Sequence, residues 1–192
     1  MLSALWVIPP DFLNRYVVVG GLALAGSLMA VAGALPAAIA ANGREMGLIC
    51  PRASGAEAAW AGEDIDILAP DNLIQLINHV KGTQVLSAPK PALAPEAGVL
   101  PDLRDIKGQE SGKRALEVAA AGGHHLLMVG PPGAGKSMLA QRLPSILPPM
   151  DPREMLDVSM VASLGGELKD GRLSRRRPFR SPHHSASMPA LV

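Results

Sequence analysis

Aromatic residues are nearly missing from this chain: two tryptophans, one tyrosine and two phenylalanines make up 3% of 192 residues. A protein that grips single-stranded nucleic acid by stacking bases on aromatic rings needs more of them, which excludes a surface of that kind. Cysteine is scarcer still. Cys50 stands alone, which rules out an intrachain disulfide framework and fits a reducing compartment. A lone thiol of this sort is read as buried and inert. An excess of either charge is lacking too. Eighteen basic residues face seventeen acidic ones, a net charge of +1, so whole-chain electrostatics select neither nucleic acid nor an acidic partner. No internal repeat is found. The length suits one ordinary domain or two small ones.

Small and apolar residues are abundant instead. From Tyr16 to Asn42 there is no charged residue, and the run exceeds the roughly 20 residues that a helix needs to cross a bilayer. Gly20, Gly21, Gly26 and Gly33 divide it, and Pro36 interrupts its last third. That punctuation equally describes buried strands joined by tight turns. Two readings are therefore open at this point: a membrane anchor over residues 16–41, and a glycine-punctuated fold. A secretory signal is less well supported, because Asp11 and Asn14 precede the run and no basic segment opens the chain.

Residues 1–16 carry no assignable pattern. Through about Gly82 the sequence has a β/α rhythm. "RYVVVGG", "SLMAVAG", "MGLICP" and "DIDILAP" are expected strands. "LPAAIAANG" is an expected helix with Gly43 as its C-terminal cap. "SGAEAAWAG" opens with the Ser54 to Glu57 spacing of a capping box. "DNLIQLINHVKG" predicts a helix capped by Asp71 or Asn72, with Leu73, Ile74, Ile77 and Val80 on one face. Residues 83–101 contain four prolines and no apolar period, which predicts a semi-extended linker between domains. Beyond it, "ESGKRALEVAAAGG" is an expected helix closed by Gly122 and Gly123. "HHLLMV" is expected as a buried strand, and His124-His125 as packing residues at its start. Asp151 and Pro152 mark the cap and first position of a last helix.

Between that strand and "KSMLAQRL" lies "GPPGAGKS": Gly130, Pro131, Pro132, Gly133, Ala134, Gly135, Lys136 and Ser137. The spacing G-x-x-x-x-G-K-[ST] is that of a phosphate-binding loop. Glycines let the backbone wrap a phosphate with several N–H groups aimed inward. Lys136 is expected on the β- and γ-phosphates of ATP, and the Ser137 hydroxyl on Mg²⁺. Hydrolysis needs a further carboxylate, normally at the end of an apolar strand. After Ser137 the acidic residues are Asp151, Glu154, Asp157, Glu167 and Asp170, and none follows a run of four apolar residues. "EMLDV" comes nearest but sits in a helical pattern. No catalytic residue is assigned.

"DIKGQESGKRALEVAAAGGHHLLMVGPPGAGKSMLAQRLPSILP" followed by "RPFRSPHHSASM" resembles the magnesium-chelatase subunit I-like AAA+ family, and within it the ComM-type competence proteins. The resemblance runs from about Val17 to Val192. It implies an α/β fold: the first half of a P-loop AAA+ core over 102–192, with Walker A present and Walker B absent. Before it, residues 17–82 would be the C-terminal half of a Lon-protease-like α+β domain. It further implies a cytoplasmic ATPase using ATP and Mg²⁺, a hexameric assembly, and DNA branch migration in the full-length family. Ile106 is expected near the adenine. The family's acidic Mg²⁺ strand, sensors and arginine finger belong downstream of Val192, so the chain is expected to be a fragment unable to hydrolyse ATP alone, or a nonfunctional remnant. In that family "GGLALAGSLMAVAG" usually carries charges, which this chain lacks. The lysine of a Lon-type Ser-Lys pair would fall near Leu35, so the resemblance implies no proteolysis.

Arg172, Arg175, Arg176, Arg177 and Arg180 form a basic cluster. It reads either as a phosphate-contacting element for DNA or, with more weight, as a solvated basic hairpin. His183-His184 lacks any partner at metal-ligand spacing.

Overall fold

A computed structural model describes residues 8–95, 98, 100–182 and 185. The chain forms two compact units. The first joins residues 1–95 to residues 151–174, and the second joins 96–150 to 175–192. This division differs from a single boundary at residue 102, because a segment that follows the phosphate loop in sequence packs with the N-terminal unit.

The first unit is mixed α/β around a short parallel sheet. A helical turn, α1 (Pro10–Leu13), leads into β1 (Tyr16–Val18). β4 (Gly47–Ile49) lies between β1 and β5 (Ile67–Leu68), parallel to both. Parallel neighbours need a crossover rather than a tight turn, and the charge-free run supplies most of the first one. After β1 it folds into an antiparallel ribbon of β2 (Gly21–Leu22) and β3 (Leu28–Met29), then helix α2 (Ala34–Asn42). Gly26 and Gly33, with φ of 82° and 84°, make the ribbon's turn and the start of α2. These are left-handed backbone conformations that a side chain would disfavour. Among the described residues no helix is long and apolar enough to cross a membrane. The glycines decide between the two readings of this run.

Two apolar clusters flank the sheet. On one side Ile8, Tyr16, Ile49, Leu68 and Leu76 are buried together. On the other are Ala38, Leu48, Cys50, Ala58 and Ile67. Cys50 is buried as expected; burial first, and then the nearby Glu57 charge, push its thiol up to about 12. Helix α4 (Leu73–Val80) is capped by Asn72, whose side chain accepts from the Gln75 N–H at 2.9 Å. Its buried face centres on Leu76, with Ile77 and Val80 beside it, whereas Ile74 is exposed. The apolar positions were recognisable, but the face is rotated from the expected one. Leu35, in the first turn of α2, is fully buried.

Helix α3 (Arg52–Ala58) begins earlier than the capping-box spacing predicts. Its N-cap is Pro51, and both Ser54 and Glu57 are buried inside the unit. Glu57, only 7% exposed, reaches outward from α3 instead. Its Oε1 accepts from the Leu35 N–H at 3.0 Å, in the first turn of α2, and from the Ser163 hydroxyl. An orphan N–H of a helix start and a hydroxyl thus converge on one oxygen of the carboxylate and offset part of the cost of burying it.

Residues 83–95 of the proline-rich stretch lie along this same unit. Leu86 packs on the first cluster. Ala94 N–H donates to the Leu173 carbonyl at 2.8 Å, and Leu173 N–H to Ala92 at 3.2 Å.

In the second unit α5 (Glu110–Gly122) ends at Gly123, whose φ of 62° gives the left-handed cap that the glycine pair predicts. α6 (Lys136–Ala140) follows the phosphate loop, and Pro144 sits in the first turn of the separate α7 (Leu143–Ile146). Leu103, Ile106, Leu116 and Leu139 form the core, with Met128, Leu143 and Ile146 packed on it. α8 (Pro152–Leu164) returns the chain to the first unit. Asp151 and Glu154 close a full capping box at its start, as the Asp-Pro pair predicts. Met155, Ser159 and Ser163, spaced four apart, form its buried face. The Gly33 N–H donates to the Ser163 carbonyl at 3.0 Å.

Candidate functional site: the loop at residues 130–137

The second unit is where the sequence expectations concentrate, and it corrects one of them. "HHLLMV" joins no ladder. Leu127 and Val129 are 86% and 88% exposed, His124 and His125 are also exposed, and only Met128 turns toward the core. A strand exists through its neighbours, and among the described residues of this unit none offers it an edge. The expectation of a buried strand before the loop therefore fails.

The loop itself is well defined by local chemistry. Gly133 and Gly135 have φ of 79° and 81°, positions that side chains strain to adopt. Gly135 is the N-cap of α6, and Leu139 N–H donates back to its carbonyl at 3.0 Å. By helix geometry the N–H groups of Lys136 and Ser137 have no acceptor within α6. Lys136 folds over the loop. Its ammonium donates to the carbonyls of Gly130 at 2.7 Å and Pro131 at 2.8 Å. Both peptides that carry those carbonyls end on a proline nitrogen, so they contribute acceptors and no donor. The Ala134 N–H closes a turn onto the Pro131 carbonyl at 3.3 Å. Ser137 is exposed at the second position of α6.

Backbone donors, one cation and an exposed hydroxyl are thus gathered within eight consecutive residues. Such a set fits a polyphosphate: the carbonyls holding Lys136 are weaker partners for an ammonium than phosphate oxygens are, and a hydroxyl beside them suits a hard cation. Ile106, at 6% exposure, is part of the core and offers no free face.

Two anchors tie the loop's surroundings. Asp102 caps a 3-10 turn (Leu103–Asp105) in a reciprocal box with Asp105. Arg142 binds the Asp102 carbonyl at 3.1 Å and the Met138 carbonyl at 2.9 Å, joining that turn to the end of α6. The sequence reading missed Gln109. Its side chain donates to the Ala134 carbonyl at 3.1 Å, across 25 residues. Nothing in the local pattern marks it, apart from its place just before α5.

The family model described as magnesium chelatase, subunit ChlI, matches residues 102–192. Over that segment, a little under half of its length, the chain is similar to the magnesium chelatase subunit ChlI family. The YifB protein of Escherichia coli (strain K12) is 39% identical over 192 residues, the whole of this chain and 38% of YifB. YifB of Salmonella typhimurium is 41% identical over 180 residues, 94% of this chain and 35% of the relative. Competence protein ComM of Haemophilus influenzae is 39% identical over 185 residues, 94% of this chain and 36% of ComM. The chain therefore spans little more than a third of the length of these relatives. The family match starts at Asp102, before the Leu103–Asp105 turn and α5, and so takes in the whole loop.

Other sequence candidates are dispersed. Asp157 of "EMLDV" lies within α8, on a helix and in the first unit. Arg176 binds the Gly98 carbonyl at 3.0 Å and Arg177 the Pro148 carbonyl at 2.9 Å, so two of the five clustered arginines brace the second unit. His183 and His184 lie outside the described residues. Among those described, no cluster of three metal-binding side chains exists.

Proposed function

We propose that this chain binds Mg-ATP or Mg-ADP through Gly130–Ser137 and works within an AAA+ ATPase of the chelatase and ComM type. The observation that carries the reading is the complete loop, with left-handed glycines at 133 and 135 and Lys136 turned across it. In this reading the N–H groups of Gly133, Gly135, Lys136 and Ser137 hold phosphate oxygens, Lys136 exchanges its two carbonyls for the β- and γ-phosphates, and Ser137 ligates Mg²⁺. Bound nucleotide supplies the reactive phosphoanhydride; the residues of this chain bind and orient it.

Turnover is a separate matter. No acidic side chain of the described residues follows an apolar strand beside the loop, and we assign the chain nucleotide binding without efficient hydrolysis of its own. Oligomerisation to a hexamer, DNA branch migration by the full-length protein, a cytoplasmic location and a Lon-like fold for residues 17–82 are proposals that rest on the family resemblance. The similarity to a competence protein, ComM, supports the proposed role in competence. Calorimetric titration of the chain with Mg-ADP tests the central claim. Saturable binding that Lys136→Ala abolishes or weakens sharply is expected; equal binding by both proteins, or by neither, overturns it.

A further inference from the structure

The residue just ahead of α5 has an unusual backbone. Gln109 adopts φ 58° and ψ 37°, directly after Gly108 at φ 67°. A non-glycine residue enters that region only when its surroundings hold it there. Two contacts do so. Its carbonyl accepts the Lys113 N–H at 2.9 Å, starting α5, and its side-chain amide donates to the Ala134 carbonyl at 3.1 Å. The close seating of α5 on α6 sets the distance that the side chain spans: a Cβ on Gly112, in the first turn of α5, would come within 3.0 Å of the Leu139 side chain.

The consequence follows from peptide geometry. The Ala134–Gly135 peptide is trans, and in a planar trans peptide the C=O and N–H vectors point in opposite directions. Pulling the Ala134 carbonyl toward Gln109 therefore turns the Gly135 N–H the other way. Each such donor matters in this loop, because the 130–131 and 131–132 peptides have none and the Ala134 N–H is already used.

We propose that Gln109 is a positioning residue for the phosphate loop: by holding the Ala134 carbonyl it fixes the direction of the Gly135 N–H donor. The inference rests on the nucleotide-binding reading of the loop, and the test separates the two. The full chain is prepared as wild type, Lys136→Ala, Gln109→Glu and Gln109→Gly. Glutamate keeps the shape but replaces the donor with a carboxylate facing a carbonyl. Glycine accepts the left-handed backbone without strain and removes the side chain. The ¹H–¹⁵N resonance of Gly135 is recorded without ligand, and Mg-ADP and Mg-pyrophosphate are then titrated.

Both Gln109 variants are expected to move the Gly135 resonance before any ligand is added. Both are expected to weaken Mg-ADP and Mg-pyrophosphate by about five- to tenfold, with Gln109→Gly retaining the thermal stability of the wild type. An unmoved Gly135 resonance, or wild-type affinity for both ligands in Gln109→Gly, overturns the positioning role. If wild type itself binds neither ligand, or Lys136→Ala binds as well as wild type, the nucleotide reading falls while the resonance still reports whether Gln109 orients the peptide.

Discussion

The first unit has a parallel sheet with an apolar cluster on each face and a buried carboxylate that joins three helices. The second has an apolar cluster of four buried side chains, no ladder among its described residues, and an apolar segment lying open just before the loop. Yet the glycines, lysine and serine with recognisable chemistry all belong to the second. The difference teaches that a phosphate loop is specified by local conformation. Positive φ at two glycines and a lysine within reach of its own loop need no sheet behind them, whereas a strand needs a neighbour. The recognisable motif and the well-packed core therefore occur in different parts of this chain.

Core truncation is the strongest way to break the contrast. Leu48→Ala in the first unit and Leu116→Ala in the second each remove a fully buried side chain, at a cost of about 2–5 kcal/mol. Residue-resolved hydrogen exchange is expected to show each loss of protection confined to its own unit. Loss spreading from Leu116→Ala into α4 would mean that the two melt as one. Next in size, Lys136→Ala is expected to reduce Mg-ADP affinity by roughly ten- to a hundredfold, the worth of a charge-assisted contact. The same variant should leave first-unit melting unchanged. Ser163→Ala removes a donor to a buried carboxylate and is expected to destabilise the first unit by about 1–3 kcal/mol, read as faster exchange across α8.

Asp151→Ala deletes the cap of α8 and should cost about 1 kcal/mol, measured by denaturant titration. The smallest effect is alkaline. Burial first, and then its hydrogen bond to Asp66, push the Tyr16 phenol from 10.0 up to about 12. Because the folded state favours the neutral phenol, this stabilisation is complete below pH 10 and is lost as the pH climbs from 10 to 12. Cys50, raised from 9.0 to about 12, adds a loss of the same sign that starts lower. The measure is therefore the difference between wild type and Tyr16→Phe, which should grow smaller across that range.

How much of this was legible in advance tracks the distance over which each feature is decided. Helix caps at Asn72, Gly123 and Asp151 were readable because the cap and its partners lie within a few residues. The charge-free run resolved into ribbon and helix at the glycines that punctuate it. Glu57 was misread as a local capping partner of Ser54, because its true donors lie 22 and 106 residues away. "LLMV" has the composition of a strand, but composition cannot supply a ladder. Gln109 escaped notice for the same reason: its partner is another segment's carbonyl.

The contact between Glu57 and Ser163 also imposes an order on biosynthesis. Helices α2 and α3 leave the ribosome first, yet the α8 residue they grip is made 106 positions after Glu57, once the whole stretch 96–150 has emerged. At about 5–20 residues per second, the first unit waits several seconds with the α8-facing side of α2 uncovered.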